Sequence, residues 1–510
     1  MRAAKGYWDL PAVVLVGVLV AGAAVRLYFS EANSYWLDEL YSVFYYGVAH
    51  ESLASVINQV SRSIQLPLYQ VFLYYWMSIF GDSEVATRSL SNLYIVGATF
   101  CLYLAVRRVY GPWLGVIVAL VFTLMFTPTY YGMETRGYAQ SIFLSSLSTL
   151  LLTYALPRFA TKPWRELARD GWLYALVAAN TALLMTHYYN VLFLAAQGVF
   201  LIIYLQFRSD GAIDAVIKSV VVALTPVVVL LAIWGPFMLR SYGRTAQKYV
   251  VEGTPLPPWE TLSDLVIQPN FTQPYFVHLV AALVGWVAVV SLARLLRGAD
   301  DETLFTVWFI LATAAPAFLA FLLFLVSGHE RYSSRYFSFS VGPLAVVVVV
   351  GIYQIVSLAG RGFPAANRVT LLVTALLAAL LVAPGGAFAL MKTKADWRGI
   401  ADKIVLRINQ EPNKRFVVYE TTFKKFPTLD FYLRRYSDSI RVDDVLQRGF
   451  EKVKKPLQFE APDADYAIVA FTHQRTSDFP RTLEVLHREM TLVEEHLDEK
   501  NRGYLVFAPQ

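Results

Sequence analysis

The 510-residue sequence contains a single cysteine, Cys101. An intramolecular disulfide is therefore impossible, and CxxC redox or thiolate-zinc chemistry is excluded. Charge is scarce as well: Asp, Glu, Lys and Arg make up 16% of the chain, against a usual quarter. No GxGxxG or P-loop occurs in the hydrophilic tail, so nucleotide binding there has no support. Internal repeats and low-complexity segments are absent too. That weighs against a secondary transporter, whose halves repeat and whose charges gather near the bilayer midplane.

What the sequence does hold is apolar, 56% hydrophobic and 15% aromatic. Such a composition marks a polytopic membrane protein. Lys and Arg number 44 against 38 Asp and Glu, a net charge of +6. The basic residues are scattered among short loops between apolar runs, as the positive-inside rule describes, which speaks for the lipid bilayer and against nucleic acid as a partner. Arg2 and Lys5 precede the first apolar run like the charges of a signal peptide. A run of about twenty apolar residues exceeds a cleaved h-region, so it reads as a retained anchor.

Crossing about 30 Å of hydrocarbon takes about 20 mostly apolar residues. Eleven such segments are expected, at 10–29, 85–106, 112–130, 138–156, 171–187, 190–207, 219–238, 275–293, 304–326, 337–358 and 369–390. The APGGA stretch at 383–387 is read as an interruption of the last one. Residues 67–81, PLYQVFLYYWMSIFG, are short and rich in Tyr and Trp, the pattern of a helix lying in the interface. With eleven spans and the N-terminus inside, Arg107, Arg108, Arg158, Lys162, Arg165, Arg169, Arg208, Lys218, Arg294, Arg297, Arg361 and Arg368 all face the cytoplasm. A twelfth span at 67–81 would invert every later loop.

On that count every polar cluster able to do chemistry falls outside. SYWLDELYS (34–42) carries Asp38 and Glu39; consecutive on a helix, they point about 100° apart, so one suits chemistry and the other support. Their bland reading is a solvated acidic helix start. YYGMETRGY (130–138) places Glu134 and Arg136 two residues apart, where a local ion pair is the plain alternative. THYYN (186–190) supplies His187, equally readable as a structural histidine. GHERYSSRY (328–336) crowds His329, Glu330, Arg331 and Arg335 together. Arginines at i and i+4 share a helix face. Snorkelling to lipid headgroups is their bland role, but a pair on one face also suits a lipid-linked phosphate.

The order Arg26, WLDELYS, LPLYQVFLYYWMSIFGDSEVATRSLS, YYGMETRGYAQ, THYYN and SRYFSFSVGPL, followed by an outer tail opening DWRGIADKI, resembles bacterial membrane glycosyltransferases of the GT-C fold. The branch is that related to protein O-mannosyltransferases and to lipid A aminoarabinose transferase. The resemblance spans nearly the whole chain through short motifs. It implies a mostly α polytopic fold of about 11 transmembrane helices, with interfacial helices in a first outer loop at 30–84 of a transmembrane catalytic domain at 1–390. A small extracytoplasmic α/β domain at 391–510 would follow.

The tail's own pattern agrees. ADWRGIADKIVLRI, PTLDFYLRRY and RTLEVLHREM have helical spacing, and RFVVYE, YAIVAFT and RGYLVFAP read as strands.

The resemblance further implies a polyprenyl-phosphate sugar as donor, Asp38 as catalytic carboxylate, and Glu134 with Arg136 shaping the second outer loop. Arg335 and Tyr336 would lie near the donor phosphate. Relatives often carry His-Pro-Pro-Leu-Tyr where this chain has Gln65-Leu66-Pro67-Leu68-Tyr69. An amide thus replaces a metal-suited ligand, which weakens the case for a divalent metal; His187, His329 and nearby carboxylates are what remains to hold one.

A sugar on a phosphate leaving group needs no protonation to depart. The remaining tasks are deprotonation of an acceptor hydroxyl, suited to a carboxylate, and stabilisation of the leaving anion, suited to arginine. The reading is therefore transfer on the outer face of the plasma membrane to a glycan, lipid or protein acceptor, and the resemblance implies that it is inverting. Asp38 is the general base, and Arg335 with Arg331 holds the phosphate. A transporter, or a receptor or scaffold whose tail is a binding module, is the alternative.

Overall fold

The structure, a computed structural model, describes residues 10–48, 50–63, 65–208, 212–245, 257–271, 273–327, 333–359, 366–421, 428–436, 446–447, 464–471, 486–488, 490–497 and 503–510. The chain forms two compact units, Met1–Ser30 with Tyr46–Lys392, and Glu31–Tyr45 with Thr393–Gln510. The segment expected as the first outer loop is thus divided, its opening residues packing with the C-terminal part of the chain.

In the first unit, nine helices among the described residues are long and apolar enough to cross a membrane, which makes this a polytopic membrane protein. Two further expected spans are shorter apolar helices, Pro112–Leu124 and Gly171–Leu184. The former stops because Met125 is extended (φ −69°, ψ 153°) ahead of a separate short helix, Phe126–Tyr131. Local chemistry sets the other boundaries. The Ser83 side chain accepts from the Ala86 N–H to start Glu84–Tyr110, and that helix ends at Gly111, whose φ of 92° suits glycine.

Pro67–Phe80 has 14 residues, about 21 Å of helix, and is not among the candidate spans. It buries Tyr69, Gln70 and Leu73 while Phe72, Tyr75 and Ile79 stay exposed on another face. The helix therefore packs one face on the bundle and leaves an apolar face exposed.

One expectation is corrected. The APGGA stretch does not interrupt the last apolar helix, which runs unbroken from Ala366 to Met391 with Pro384 inside it. A Cβ at Gly385 or Gly386 would clash with the backbone carbonyls of Asn270 and Leu124 respectively. The glycines let three backbone segments approach closely, and packing on both sides holds the helix through the proline.

Basic residues near helix ends meet acids there. Lys162 Nζ lies 2.9 Å from Asp170, Arg208 is 2.7 Å from Asp301, and Arg294 is 3.0 Å from Glu302. Deeper in the bundle, polar side chains satisfy one another. Asn180 accepts from Ser148 at 2.6 Å and donates to Gln197 at 2.6 Å. Buried polar groups need such partners.

The second unit contains a five-stranded mixed sheet: β1 Phe416–Thr421, β2 Leu446–Gln447, β3 Tyr466–Phe471, β4 Met490–Leu497 and β5 Gly503–Pro509, in the order β2-β1-β3-β5-β4. β1 lies parallel to β2 and β3, and β5 antiparallel to β3 and β4. One face gathers Val417, Tyr419, Val469, Leu505 and Phe507, while Val418, Ile468 and Val506 are fully buried on the other. Trp397–Gln410 is a helix capped by Asp396, whose side chain accepts from the Gly399 N–H at 3.0 Å.

Of the expected helix in RTLEVLHREM, residues 486–488 are helical and 481–485 and 489 lie outside the described residues; its last residue, Met490, instead begins β4. Met490 and Leu492 alternate with exposed neighbours, a strand pattern, and pair with β5.

Candidate active site

In the first unit, three expected clusters come together. The helix Tyr138–Thr161 begins at the last residue of YYGMETRGY, the loop 185–189 follows Gly171–Leu184, and the 3-10 segment Ser334–Ser340 leads into the helix Val341–Ala359. A chain of rings joins them. Tyr131 and Tyr138 have centroids 5.0 Å apart, Tyr138 and His187 6.0 Å, His187 and Tyr336 5.0 Å, and Tyr189 stacks on Tyr336 at 4.9 Å. Arg136 sits 5.8 Å over the Tyr138 ring and Arg335 5.5 Å over that of Tyr336, so aromatic faces hold both guanidiniums.

The loop that delivers Glu134 and Arg136 is pinned from beneath. Ser91 donates to the Glu134 carbonyl at 2.6 Å, Thr87 and Thr135 share a 2.9 Å hydrogen bond, and Arg136 N–H donates to the Glu134 carbonyl at 2.9 Å. Glu134 is buried. The segment that replaces the His-Pro-Pro-Leu-Tyr of relatives abuts the same region. Leu68 N–H donates to the Met185 carbonyl at 3.2 Å, and a Cβ on Gly137 would rest 3.4 Å from that of Tyr69.

Electrostatics reports the crowding. Desolvation, then repulsion from Arg136 and Arg335, pushes the pKa of His187 down to about 3. The Tyr189 N–H donates to His187 Nδ1 at 3.3 Å, which places the ring's proton on Nε2. Burial first, then the charge of Glu134, holds the Tyr131 hydroxyl well above its ordinary pKa. The ensemble is a neutral imidazole and several tyrosines around two cations, a surface suited to an anion with an apolar or sugar portion.

Glu134, Arg136, His187, Arg335 and Tyr336 are therefore neighbours. Arg331 lies outside the described residues, as do His329 and Glu330. Asp38 and Glu39 belong to the second unit, in the short helix Leu37–Leu40. Glu39 is fully buried, 2.9 Å from Lys394 Nζ, and accepts from the Trp36 N–H at 3.5 Å, whereas Asp38 stays partly exposed. Around them, Ser34 donates to Asp396 at 2.9 Å and the Tyr35 N–H to the Tyr432 hydroxyl at 2.6 Å. Among the described residues, no three His, Cys, Asp or Glu side chains gather as metal ligands.

Sequence reasoning passed over Tyr138, Tyr189 and Tyr131, although the tyrosine density of YYGMETRGY and THYYN was the available signal.

No family model matches the sequence, and no curated protein matches it. Solved structures do. ArnT from Cupriavidus metallidurans, bound to undecaprenyl phosphate, superposes with a TM-score of 0.54 at 15% identity, covering 97% of this chain and 97% of that one. The fold is that of ArnT. Its apo form gives 0.53 at 15% identity over 98% of each chain. The archaeal oligosaccharyltransferase AglB from Archaeoglobus fulgidus, in complex with an inhibitory peptide and a dolichol-phosphate, gives 0.45 at 10% identity, over 91% of this chain and 70% of that chain. ArnT is the lipid A aminoarabinose transferase, a membrane glycosyltransferase of the GT-C fold. The GT-C fold implied by the motif order is thus present, at 15% identity to ArnT.

Proposed function

We propose that the protein transfers a sugar from a polyprenyl-phosphate donor to a hydroxyl of a cell-envelope acceptor, with inversion. The observation that carries this reading is the convergence of Arg136 and Arg335 on one aromatic-walled site around a neutral His187. It occurs in a fold shared with a protein crystallised on undecaprenyl phosphate.

In the step, Asp38 takes the acceptor's proton, the acceptor oxygen bonds to the anomeric carbon, and the bond from that carbon to the phosphate oxygen breaks. The polyprenyl phosphate departs with the electron pair, its charge held by Arg335 together with Arg331. Arg136 adds to the positive field, Glu134 orders the loop that carries Arg136, and Tyr336 walls the phosphate site. Glu39, paired with Lys394, supports the helix that bears Asp38. The N-terminus, eleven spans and the basic loops would place this chemistry and the C-terminal domain outside the plasma membrane.

Purified protein incubated with radiolabelled undecaprenyl-phosphate sugar and cell-envelope extract should move label into an acceptor. Label that stays on the donor with every envelope fraction would defeat the reading. Sidedness is tested separately by Lys414→Cys, a position on an exposed side chain. A membrane-impermeant maleimide should label it from the outside, and labelling confined to inverted vesicles would reverse the topology.

A further inference from the structure

A cavity lies at the other end of the bundle. Tyr336 and Arg335 precede the N-terminus of the helix Val341–Ala359, and 19 residues, about 28 Å, separate them from its far end. There a cavity of about 380 Å³ opens between the ends of Glu84–Tyr110, Pro274–Leu295 and Val341–Ala359 and the start of Asp301–Ser327. Its volume is within the range of small-ligand sites.

Three features define what it would take. Its rim carries Arg294, Arg297 and Glu302. Arg294 pairs with Glu302 at 3.0 Å, whereas no carboxylate among the described residues pairs with Arg297, so the rim keeps a net positive charge. Inside, Gln354 Oε1 and Ser357 Oγ are buried without a hydrogen-bond partner among the described residues. Buried polar atoms are costly when unmet, and Oε1 can only accept. Finally, the flank is apolar and open: Trp286 is 37% exposed, Val289 65% and Ile355 45%, on helices that are candidate membrane spans.

We propose that this cavity binds an anionic phospholipid with a hydroxyl-bearing headgroup, of the phosphatidylglycerol kind. Arg297, reinforced by Arg294, holds the phosphate at the level where the spans end. Headgroup hydroxyls donate to Gln354 Oε1 and bond with Ser357 Oγ. The acyl chains lie along the apolar flank. A choline headgroup offers no donor to Gln354 and brings a cation toward Arg297, and phosphatidic acid lacks the hydroxyls. A free phosphate shares the Arg297 chemistry but has no use for the flank. The site is separate from the transfer chemistry proposed above, so the fate of either leaves the other standing.

The test uses the full-length protein in a neutral detergent, titrated with dioleoyl-phosphatidylglycerol, dioleoyl-phosphatidic acid, dioleoyl-phosphatidylcholine or inorganic phosphate. Binding is read by native mass spectrometry and thermal melting. Phosphatidylglycerol should bind about tenfold tighter than phosphatidylcholine, and Arg297→Gln should remove about tenfold of its affinity. Gln354→Leu, with Ser357→Ala as a second variant should the first not fold, should erase the preference for phosphatidylglycerol over phosphatidic acid. Wild-type affinity in a folded Arg297→Gln protein would overturn the site. An Arg297-dependent melting shift from inorganic phosphate equal to that from lipid would overturn the lipid assignment. A headgroup preference that survives both interior substitutions would overturn the hydroxyl contacts.

Discussion

Tyr189 stacks on Tyr336 with centroids 4.9 Å apart and planes within 16°. Residues 147 positions apart in sequence thereby lock the loop after Gly171–Leu184 against the segment that presents Arg335. The stack restricts where the neighbouring Arg335 guanidinium can reach, as a preorganised anion site would require.

Arg335 is therefore expected to contribute most to donor binding. Arg335→Ala should weaken undecaprenyl-phosphate binding by about 2 to 5 kcal/mol if the contact is desolvated. Arg335→Lys should keep part of it, since lysine retains charge without the planar fork. Tyr189→Ala should weaken binding less, by loosening the segment. Unchanged affinity in a folded Arg335→Ala protein, with melting as the folding control, would place Arg335 among lipid-snorkelling residues instead.

The acidic pair should separate by readout. Asp38→Asn should abolish transfer and leave melting nearly unchanged, because an amide keeps the shape of the carboxylate but takes no proton. Glu39→Gln should cost about 3 to 5 kcal/mol of stability, because it removes the buried carboxylate charge that faces the mostly buried Lys394 ammonium. Near-normal turnover in Asp38→Asn would move suspicion to Glu134. A Glu39→Gln protein as stable as wild type would remove the structural role of the ion pair.

Acid should loosen the first unit through His187. Its pKa is lowered from 6.5 to about 3 in the folded chain, by desolvation and then by Arg136 and Arg335. The unfolded chain therefore binds more protons below pH 6.5. The stability that neutral His187 contributes is complete above 6.5 and is lost progressively as pH falls toward 3, by at most about 1.4 kcal/mol per pH unit. His187→Phe, which keeps a ring against Tyr336, should flatten the melting temperature across that window. An identical pH profile in wild type and variant would falsify the assignment.

Gly386→Ala tests the close backbone approach. Its added methyl meets the Leu124 carbonyl, which cannot swing aside as a flexible side chain can. A loss of about 1 to 3 kcal/mol is expected, read as a lower melting temperature or poor recovery of folded protein. Gly285→Ala, where nothing lies within 4 Å, is the control and should be neutral. Equal behaviour of the two would mean that the helices separate without cost.

The sequence alone determined the class of protein, the position of its apolar helices and most strands of the tail. These follow from composition, run length and period, which are local properties of the chain. Residues 112–124 show the limit: apolar content foretold a helix but not its end at Met125, which depends on the packing around the separate short helix Phe126–Tyr131. Pro384, Gly385 and Gly386 read locally as a break, and only contact with Asn270 and Leu124 makes them a point of close packing in a continuous helix. β4 was missed because its inward residues, Met490 and Leu492, acquire meaning only when β5 lies beside them.

The polar motifs were visible as separate patches. Which patches meet was decided by tertiary structure: Glu134, Arg136, His187, Arg335 and Tyr336 come from three segments far apart in the chain. Their charges, burial and shifted proton affinity arise from neighbours across space, which no window along the sequence contains. Glu39 was similarly ambiguous beside Asp38 until Lys394, 355 residues away, claimed its carboxylate.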